Sequence, residues 1–291
     1  MTESRVASPA RALPSAVDSL RVPDRTLPLL RDLVAARIGM HYDEERLAYL
    51  RDRLGPLAVE RGFDSLLDYY YLLKYDEQAD VEWARAIDAL SVQETYFWRE
   101  ADQIQALARV IVPGLVDAGR RVIRIWSVPC ATGEEPLSVA IALEEAGWFE
   151  RVAIEIHAAD ASEAALLKAD AGRYGLRAFR QLPEVLRAKY FDADGPAWIV
   201  KPSLKRRVTS WMRMNVVQPE ELARLSGADV ILCRNLFIYF TQATVRLVVE
   251  QFANRLSDPG FLCVGAAESL LRVTPRFDLQ DIGGAYVYVK S

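Results

Sequence analysis

The sequence contains few of the residues that build disulfides or metal sites. Its 291 residues include three cysteines and two histidines. Cys130, Cys233 and Cys263 lie far apart in apolar, strand-like contexts, so we expect buried thiols of a cytoplasmic protein. His41 and His157 have no cysteine or histidine cluster beside them, so the spacing predicts no metal site.

A membrane segment and an excess of positive charge are also missing. No apolar run is long enough to span a bilayer, and the N-terminus has no apolar signal core. The formal net charge of −4 gives no reason to expect nucleic acid as a partner. The serine, alanine, proline and arginine content of residues 1–20 predicts a disordered leader.

What the sequence does contain is a helical block followed by an alternating block. Apolar residues repeat at helical spacing from Leu27 to Leu90 with no strand pattern, which predicts a small all-α domain over residues 21–92. Strands then alternate with helices over residues 93–291, which predicts an α/β domain with a mostly parallel sheet. Three short strand-like pieces, at 198–200, 207–209 and 211–212, predict an antiparallel β-subdomain inserted at about 191–213.

One strand–turn–helix stretch suggests a ligand site. The run 122–126, apolar except for Arg124, precedes a turn that contains Gly133. Pro136 stands where a first-turn proline is tolerated. Such corners usually bind nucleotides, but Glu134 and Glu135 stand where a phosphate would sit. Carboxylates repel phosphate and suit ribose hydroxyls or a cation, which favours a nucleoside such as S-adenosylmethionine. The alternative is that both glutamates only complement the helix dipole.

Three further residues lie at or shortly after the ends of predicted strands, and each of them has two interpretations. Asp160 ends the next strand, where it could bind ribose hydroxyls or cap a helix. Asn235 follows the apolar strand 229–233, where a polar amide is costly unless hydrogen-bonded. It could cap a local turn or face a ligand. Tyr239 could be core packing or could direct its hydroxyl into a cleft.

Two segments outside these strands also carry alternatives. Residues 93–100, QETYFWRE, join the two blocks with three aromatics and Arg99, either as a hydrophobic plug or as part of a site. Arg46, Arg51, Arg53 and Arg61 form either a solvated helix face or a docking surface for an acidic partner.

Taken in order, five motifs resemble the chemotaxis receptor glutamate methyltransferases, the CheR family. They are residues 93–100, 130–136 (CATGEEP), 159–162 (ADAS), 233–240 (CRNLFIYF) and 265–270 (GAAESL). The resemblance covers nearly the whole chain. It implies an all-α N-terminal domain and a methyltransferase domain built on a Rossmann-like seven-stranded sheet, with a small inserted antiparallel β-subdomain.

The resemblance also implies an activity. Members transfer a methyl group from S-adenosylmethionine to receptor glutamates and leave S-adenosylhomocysteine. We therefore expect a cytoplasmic monomer without a metal or membrane insertion, whose partner is the helical cytoplasmic domain of methyl-accepting chemoreceptors. The alternatives are a non-catalytic S-adenosylmethionine-binding scaffold and a small-molecule carboxyl methyltransferase.

Site residues carry over position by position. Arg99 is expected to hold the substrate carboxylate, and Tyr239 to assist by hydrogen bonding. Gln93 replaces the asparagine usual in the family. The cofactor contacts that the resemblance implies are Gln93, Thr95, Arg99, Glu135, Asp160, Asn215, Val216, Asn235 and Leu236.

Overall fold

A computed structural model describes residues 20–291 of the chain. Apart from Leu20, the predicted leader lies outside the described residues. The described chain divides into two compact units, one made of residues 20–33 and 42–90 and the other of residues 34–41 and 91–291. No helix within residues 20–291 is both long and apolar enough to cross a membrane.

The first unit is helical, as predicted. Its helices are α1 (Thr26–Ile38, whose last residues group with the second unit), α2 (Leu47–Glu60), α3 (Leu66–Tyr75) and α4 (Ala79–Leu90). Helix α3 begins where Ser65 accepts a hydrogen bond from the backbone N–H of Leu67. Leucines and aromatic residues on the inner faces of the helices form the core. Among the four predicted surface arginines, Arg61 pairs with the buried Glu82 at 2.6 Å.

The second unit holds the strands of the described chain. In chain order they are β1 (Val122–Ser127), β2 (Ala153–Asp160), β3 (Arg173–Gly175), β4 (Phe191–Asp194), β5 (Ala197–Val200), β6 (Val208–Arg213), β7 (Ala228–Leu232), β8 (Leu256–Cys263), β9 (Phe277–Ile282) and β10 (Ala285–Lys290). Seven of them form one sheet in the order β6-β2-β1-β7-β8-β10-β9. The first five of that order run parallel, and β10 is antiparallel to both of its neighbours. The mostly parallel seven-stranded sheet is therefore confirmed.

Helices connect the strands and cover the sheet. They are α5 (Ala101–Ala106), α6 (Val112–Asp117), α7 (Glu134–Glu145), α8 (Glu163–Ala171), α9 (Glu184–Tyr190), α10 (Pro202–Lys205), α11 (Pro219–Leu222) and α12 (Gln242–Arg255). A π-helical turn, Leu107–Ile111, joins α5 to α6. Both faces of the sheet carry an apolar cluster, one around Ile125 and Leu137 and the other around Ile231 and Phe252. The apolar run 230–232 of β7 follows from this burial on both faces.

Part of the predicted β-subdomain is placed differently. The prediction of antiparallel strands at 207–209 and 211–212 is wrong, because β6 covers both and pairs parallel with β2 in the large sheet. The predicted antiparallel piece at 198–200 is confirmed, because it forms most of β5. This strand belongs to a separate antiparallel sheet in the order β3-β5-β4, whose strands lie within residues 173–200. Parallel pairing joins segments that are distant along the chain, so the local pattern of β6 did not reveal its partner.

Candidate active site

The predicted site residues cluster at the carboxyl ends of three adjacent parallel strands. In the large sheet β1 lies between β2 and β7. Ser127 is the last residue of β1, Asp160 ends β2, and Asn235 lies just beyond β7. The carboxyl ends of parallel strands meet at one edge of the sheet, which is where ligands bind in such folds.

The turn after β1 depends on a glycine. Gly133 has a φ of +97°, in the left-handed region. A Cβ there would lie 3.0 Å from Ala169 Cβ, from Trp211 and from the Tyr174 hydroxyl. The same hydroxyl donates to the carbonyl of Thr132 at 3.0 Å. Backbone conformation and crowding together therefore require glycine at this position, and α7 begins directly after it.

Asp160 has its carboxylate held by the main chain around it. One oxygen accepts from the Ala131 N–H at 2.8 Å, and the other accepts from the Ser162 N–H at 2.8 Å. The cap of α8 is Ser162, whose hydroxyl accepts from the Ala165 N–H at 3.1 Å, as the sequence predicts. A carboxylate oxygen can accept more than one hydrogen bond, so Asp160 can also accept from the hydroxyl groups of a ligand.

The two glutamates at the start of α7 have different partners. Glu134 accepts from the Thr132 hydroxyl at 2.6 Å, and burial raises the pKa of its carboxyl above the usual range. Glu135 accepts from the Ser127 hydroxyl at 2.6 Å and from Arg234 Nε at 2.5 Å. Glu135 is thus the member of the pair that faces the sheet edge, beside the end of β1.

Arg234 is a functional candidate that the sequence did not single out. Its side chain is 2 % exposed, and it donates to Glu135 and, at 2.9 Å, to the backbone carbonyl of Arg99. Burial alone would lower the pKa of this guanidinium, but the adjacent Glu135 and, to a smaller extent, Glu100 raise it, and the pKa lies above its usual range. Arg234 therefore stays charged and joins α7 to the segment that carries Arg99. A charged residue directly after an apolar strand was the available signal.

Arg99 and Asn235, predicted separately, are in direct contact. Arg99 Nη2 donates to Asn235 Oδ1 at 2.6 Å, and Arg99 Nη1 donates to the Glu94 carbonyl at 2.9 Å. Trp98, Glu100 and Asn235 all have positive φ values. Non-glycine residues in that region carry strain and cluster at functional sites.

Glu268 fixes the loop that presents Asn235. Its buried carboxylate accepts from the backbone N–H groups of Gly265, Asn235, Phe237 and Ile238 at 2.7, 2.8, 2.6 and 3.3 Å. Burial raises the pKa of Glu268, although these hydrogen bonds oppose the shift. The resemblance includes the motif around this residue, but no role was predicted for it.

The remaining predicted residues surround this centre. Gln93 donates to the Ser162 hydroxyl at 3.3 Å and accepts from Lys168 Nζ at 2.9 Å, which places it beside Asp160. Thr95 is half-buried on the same segment. On the loop after β7, Leu236 is half-buried, and the Tyr239 carbonyl accepts from the His41 N–H at 2.8 Å.

Asn215 and Val216 follow β6, next to β2. The Asn215 amide donates to the Arg37 carbonyl at 2.8 Å, and Val216 is buried. The structure thus places both residues at the same edge of the sheet, although the Asn215 amide already has a main-chain acceptor. Their contact with a cofactor stays a prediction.

The donor and acceptor groups of this edge fit S-adenosylmethionine. Asp160 supplies a carboxylate that suits ribose hydroxyls and disfavours a phosphate. Glu135 adds a second carboxylate at the same edge, already bonded to Ser127 and Arg234. Within residues 20–291 no group of three or more His, Cys, Asp or Glu side chains is arranged to hold a metal ion.

Comparison with known proteins gives the same picture. Residues 25–91 match the CheR methyltransferase all-alpha domain, and residues 93–283 match the CheR methyltransferase SAM-binding domain. Chemotaxis protein methyltransferase 2 of Vibrio cholerae is 31 % identical over 94 % of this chain and 96 % of its own length. A probable biofilm formation methyltransferase, WspC of Pseudomonas putida, is 33 % identical over 87 % of this chain and 59 % of its own length.

The sheet, the site at its carboxyl edge and these matches define a methyltransferase with a SAM-binding domain. The chain belongs to the CheR methyltransferase family. The predicted family and the predicted fold class are both confirmed.

Proposed function

We propose that this protein transfers the methyl group of S-adenosylmethionine to glutamate side chains of methyl-accepting chemoreceptors. The observation that carries the proposal is the contact between Arg99 and Asn235 at the carboxyl edge of the sheet, 2.6 Å long. It places a guanidinium that can bind a carboxylate beside an amide predicted to contact the cofactor. Family membership favours this function over a non-catalytic scaffold or a small-molecule carboxyl methyltransferase.

Methyl transfer to a glutamate requires the substrate carboxylate to be correctly positioned and requires no proton transfer. A glutamate side chain has a pKa of about 4.3, so it is an anion at neutral pH and needs no general base. When bound, S-adenosylmethionine supplies an electrophilic methyl group. The glutamate oxygen bonds to the methyl carbon as the carbon–sulfur bond breaks, which leaves a methyl ester and S-adenosylhomocysteine. What the protein supplies is alignment and the exclusion of water.

In this proposal the residues divide into two groups. Arg99 orients the substrate carboxylate with the remaining donors of its planar fork, and Tyr239 adds a hydrogen bond. Arg234 is a positioning residue, because it holds both Glu135 and the Arg99 carbonyl. The proposed cofactor contacts are Gln93, Thr95, Arg99, Glu135, Asp160, Asn215, Val216, Asn235 and Leu236.

The proposed partner is the helical cytoplasmic domain of a chemoreceptor, met by a monomer in the cytoplasm. The support comes from relatives named chemotaxis protein methyltransferases, among them one from Pseudomonas aeruginosa that is 28 % identical over 89 % of this chain. Neither nucleic acid nor a resident metal has a part in the proposed reaction.

The test uses tritiated S-adenosylmethionine and receptor-containing membranes. We expect label that is released by base, as a methyl ester is. Arg99→Ala should lower transfer about 100-fold, and calorimetry should show a far smaller loss of affinity for S-adenosylhomocysteine. Arg109→Ala, which alters an exposed arginine of the same unit, is the control. Base-stable label, or equal losses of transfer and affinity in Arg99→Ala, would refute the assignment.

A further inference from the structure

A second cavity borders the site from the side of β8. It has a volume of about 280 Å³ and lies among the start of α5, the loop after β8, and strands β9 and β10. The residues that line this cavity and carry the argument come from three places. They are Glu100, Asp102 and Gln103 at the start of α5, Glu268 in the loop, and Leu279 and Tyr286 in the two strands. None of these residues belongs to the predicted cofactor or catalytic set.

A buried acceptor among the lining residues has no donor. Gln103 is 7 % exposed, and its amide nitrogen donates to the carbonyls of Val264 at 2.9 Å and Tyr286 at 3.3 Å. These bonds fix the orientation of the amide. Its carbonyl oxygen is buried and has no hydrogen-bond partner within the described chain. Glu100 Oε2 is also buried without a hydrogen bond from residues 20–291, and Arg234 Nη1 lies 3.7 Å away. Because buried acceptors are costly when unpaired, the group that completes this cavity carries N–H donors.

The charge of the cavity specifies the sign of its ligand. Glu100, Asp102 and Glu268 are acidic, and no lysine or arginine of the described chain lines the cavity. Glu100 already faces Arg234, and Glu268 already accepts from main-chain N–H groups. Asp102 is exposed and offers the charge that is available to a ligand. The acidic lining suits a cation, and the apolar lining beside it suits an organic one. Leu279 and Tyr286 are exposed apolar residues at the same cavity. Apolar and aromatic surface of this kind packs against the stem of a long basic side chain.

We propose that this cavity binds a lysine or arginine side chain of the protein substrate, near the glutamate that is methylated. The inference rests on the proposed function. Two links connect the cavity to the site: Glu100 follows Arg99 directly, and Glu268 accepts from the Asn235 N–H at 2.8 Å. A substrate helix held at Arg99 thus has this acidic cavity beside it. The cavity then contributes to substrate choice rather than to the methyl transfer itself.

This inference is tested by substitutions that change the charge of the cavity and preserve its shape. Asp102→Asn should raise the KM for a receptor fragment about tenfold, with kcat and S-adenosylhomocysteine affinity unchanged. Ser269→Asp adds a negative charge at the same cavity and should lower the KM. Asp117→Asn removes an exposed carboxylate of the same unit and serves as the matched control. Both effects should shrink as salt is added, because they are electrostatic.

The substrate side identifies the ligand. Each lysine or arginine near the methylated glutamate is changed to glutamine in the receptor fragment, and one such change should raise the KM of the wild-type enzyme but not that of Asp102→Asn. If no single change does so, or if Asp102→Asn and Ser269→Asp match Asp117→Asn, the inference is refuted. Calorimetric binding of spermidine that Asp102→Asn abolishes, without any change in KM, would also refute it by identifying a free amine as the ligand. Absence of methyl transfer by the wild-type enzyme would instead refute the proposed function.

Discussion

Removing the positive charge of Arg234 should destabilise the methyltransferase domain strongly. The side chains of Arg234 and Glu135 are 2 % and 9 % exposed, and Arg234 Nε lies 2.5 Å from Glu135 Oε2. In Arg234→Met a side chain of similar length fills the space, but the Glu135 carboxylate loses its cation and keeps the Ser127 hydroxyl, a neutral donor. Breaking a buried ion pair from one side costs about 3–5 kcal/mol, since the remaining charge is uncompensated.

A second substitution separates this cost from simple loss of packing. Arg234→Met with Glu135→Gln removes both charges and keeps an acceptor for Ser127. We expect the double variant to recover about 2 kcal/mol relative to the sum of the two single variants, which is within the usual range for residues in contact. It should not recover fully, because the Arg99 carbonyl still lacks the donor that Arg234 supplies at 2.9 Å.

Urea unfolding followed by tryptophan fluorescence measures these differences. Arg206→Met, which changes an exposed arginine, should stay within about 0.5 kcal/mol of the wild type. Calorimetry with S-adenosylhomocysteine should show weaker binding to Arg234→Met, because Glu135 and the Arg99 segment lose their common anchor. A loss of unfolding free energy below about 1 kcal/mol, or a double variant no better than the sum, would refute the role assigned to the pair.

The surroundings of the site lead to three further predictions. Gly133→Ala should lower the free energy of unfolding by more than Gly119→Ala, because both have positive φ but only Gly133 is crowded; equal thermal melts would contradict this. Glu268→Gln should cost about 1.5–3 kcal/mol in urea unfolding and weaken S-adenosylhomocysteine binding, and unchanged values for both would contradict its anchoring role. Burial lowers the pKa of His157 below 6.5. Its neutral form is therefore favoured in the fold, and stability is lost as the pH falls below 6.5 through the folded pKa. His157→Gln should lose less stability over that range, and parallel pH curves for the two proteins would argue against it.

Much of the local geometry of the candidate site could be predicted, because its signals are local. The turn after β1 combines a left-handed glycine with two acids at the start of a helix, and all of these lie within a few residues of one another. Asp160 stands at the end of an apolar strand and is followed by the N-cap serine of α8. Each such pattern results from steric and capping rules that act over one or two turns of chain, so the sequence carries it without knowledge of the sheet order.

The pairing of the small sheet and of β6 could not be predicted from local sequence patterns. Residues 208–213, VTSWMR, mix apolar and polar side chains without strict alternation, which suits either an antiparallel hairpin or a parallel edge strand. The strand pairs with β2, which lies before α8 and the entire small sheet in the chain. The choice depends on which sheet edge remains free after the central strands pair, and that is a property of the whole domain.

Arg234 shows the same limit within the site. An arginine after an apolar strand can face solvent or be buried with an acid, and only the adjacency of β1 and β7 brings Glu135 within 2.5 Å of it. The pairing has a functional consequence that the separate motifs did not predict. Glu135 lies on the proposed cofactor side and Arg99 on the proposed substrate side, and one buried guanidinium bonds to both. In the proposed function Arg234 therefore joins the cofactor side to the backbone of Arg99, and we expect its replacement to weaken both cofactor binding and methyl transfer.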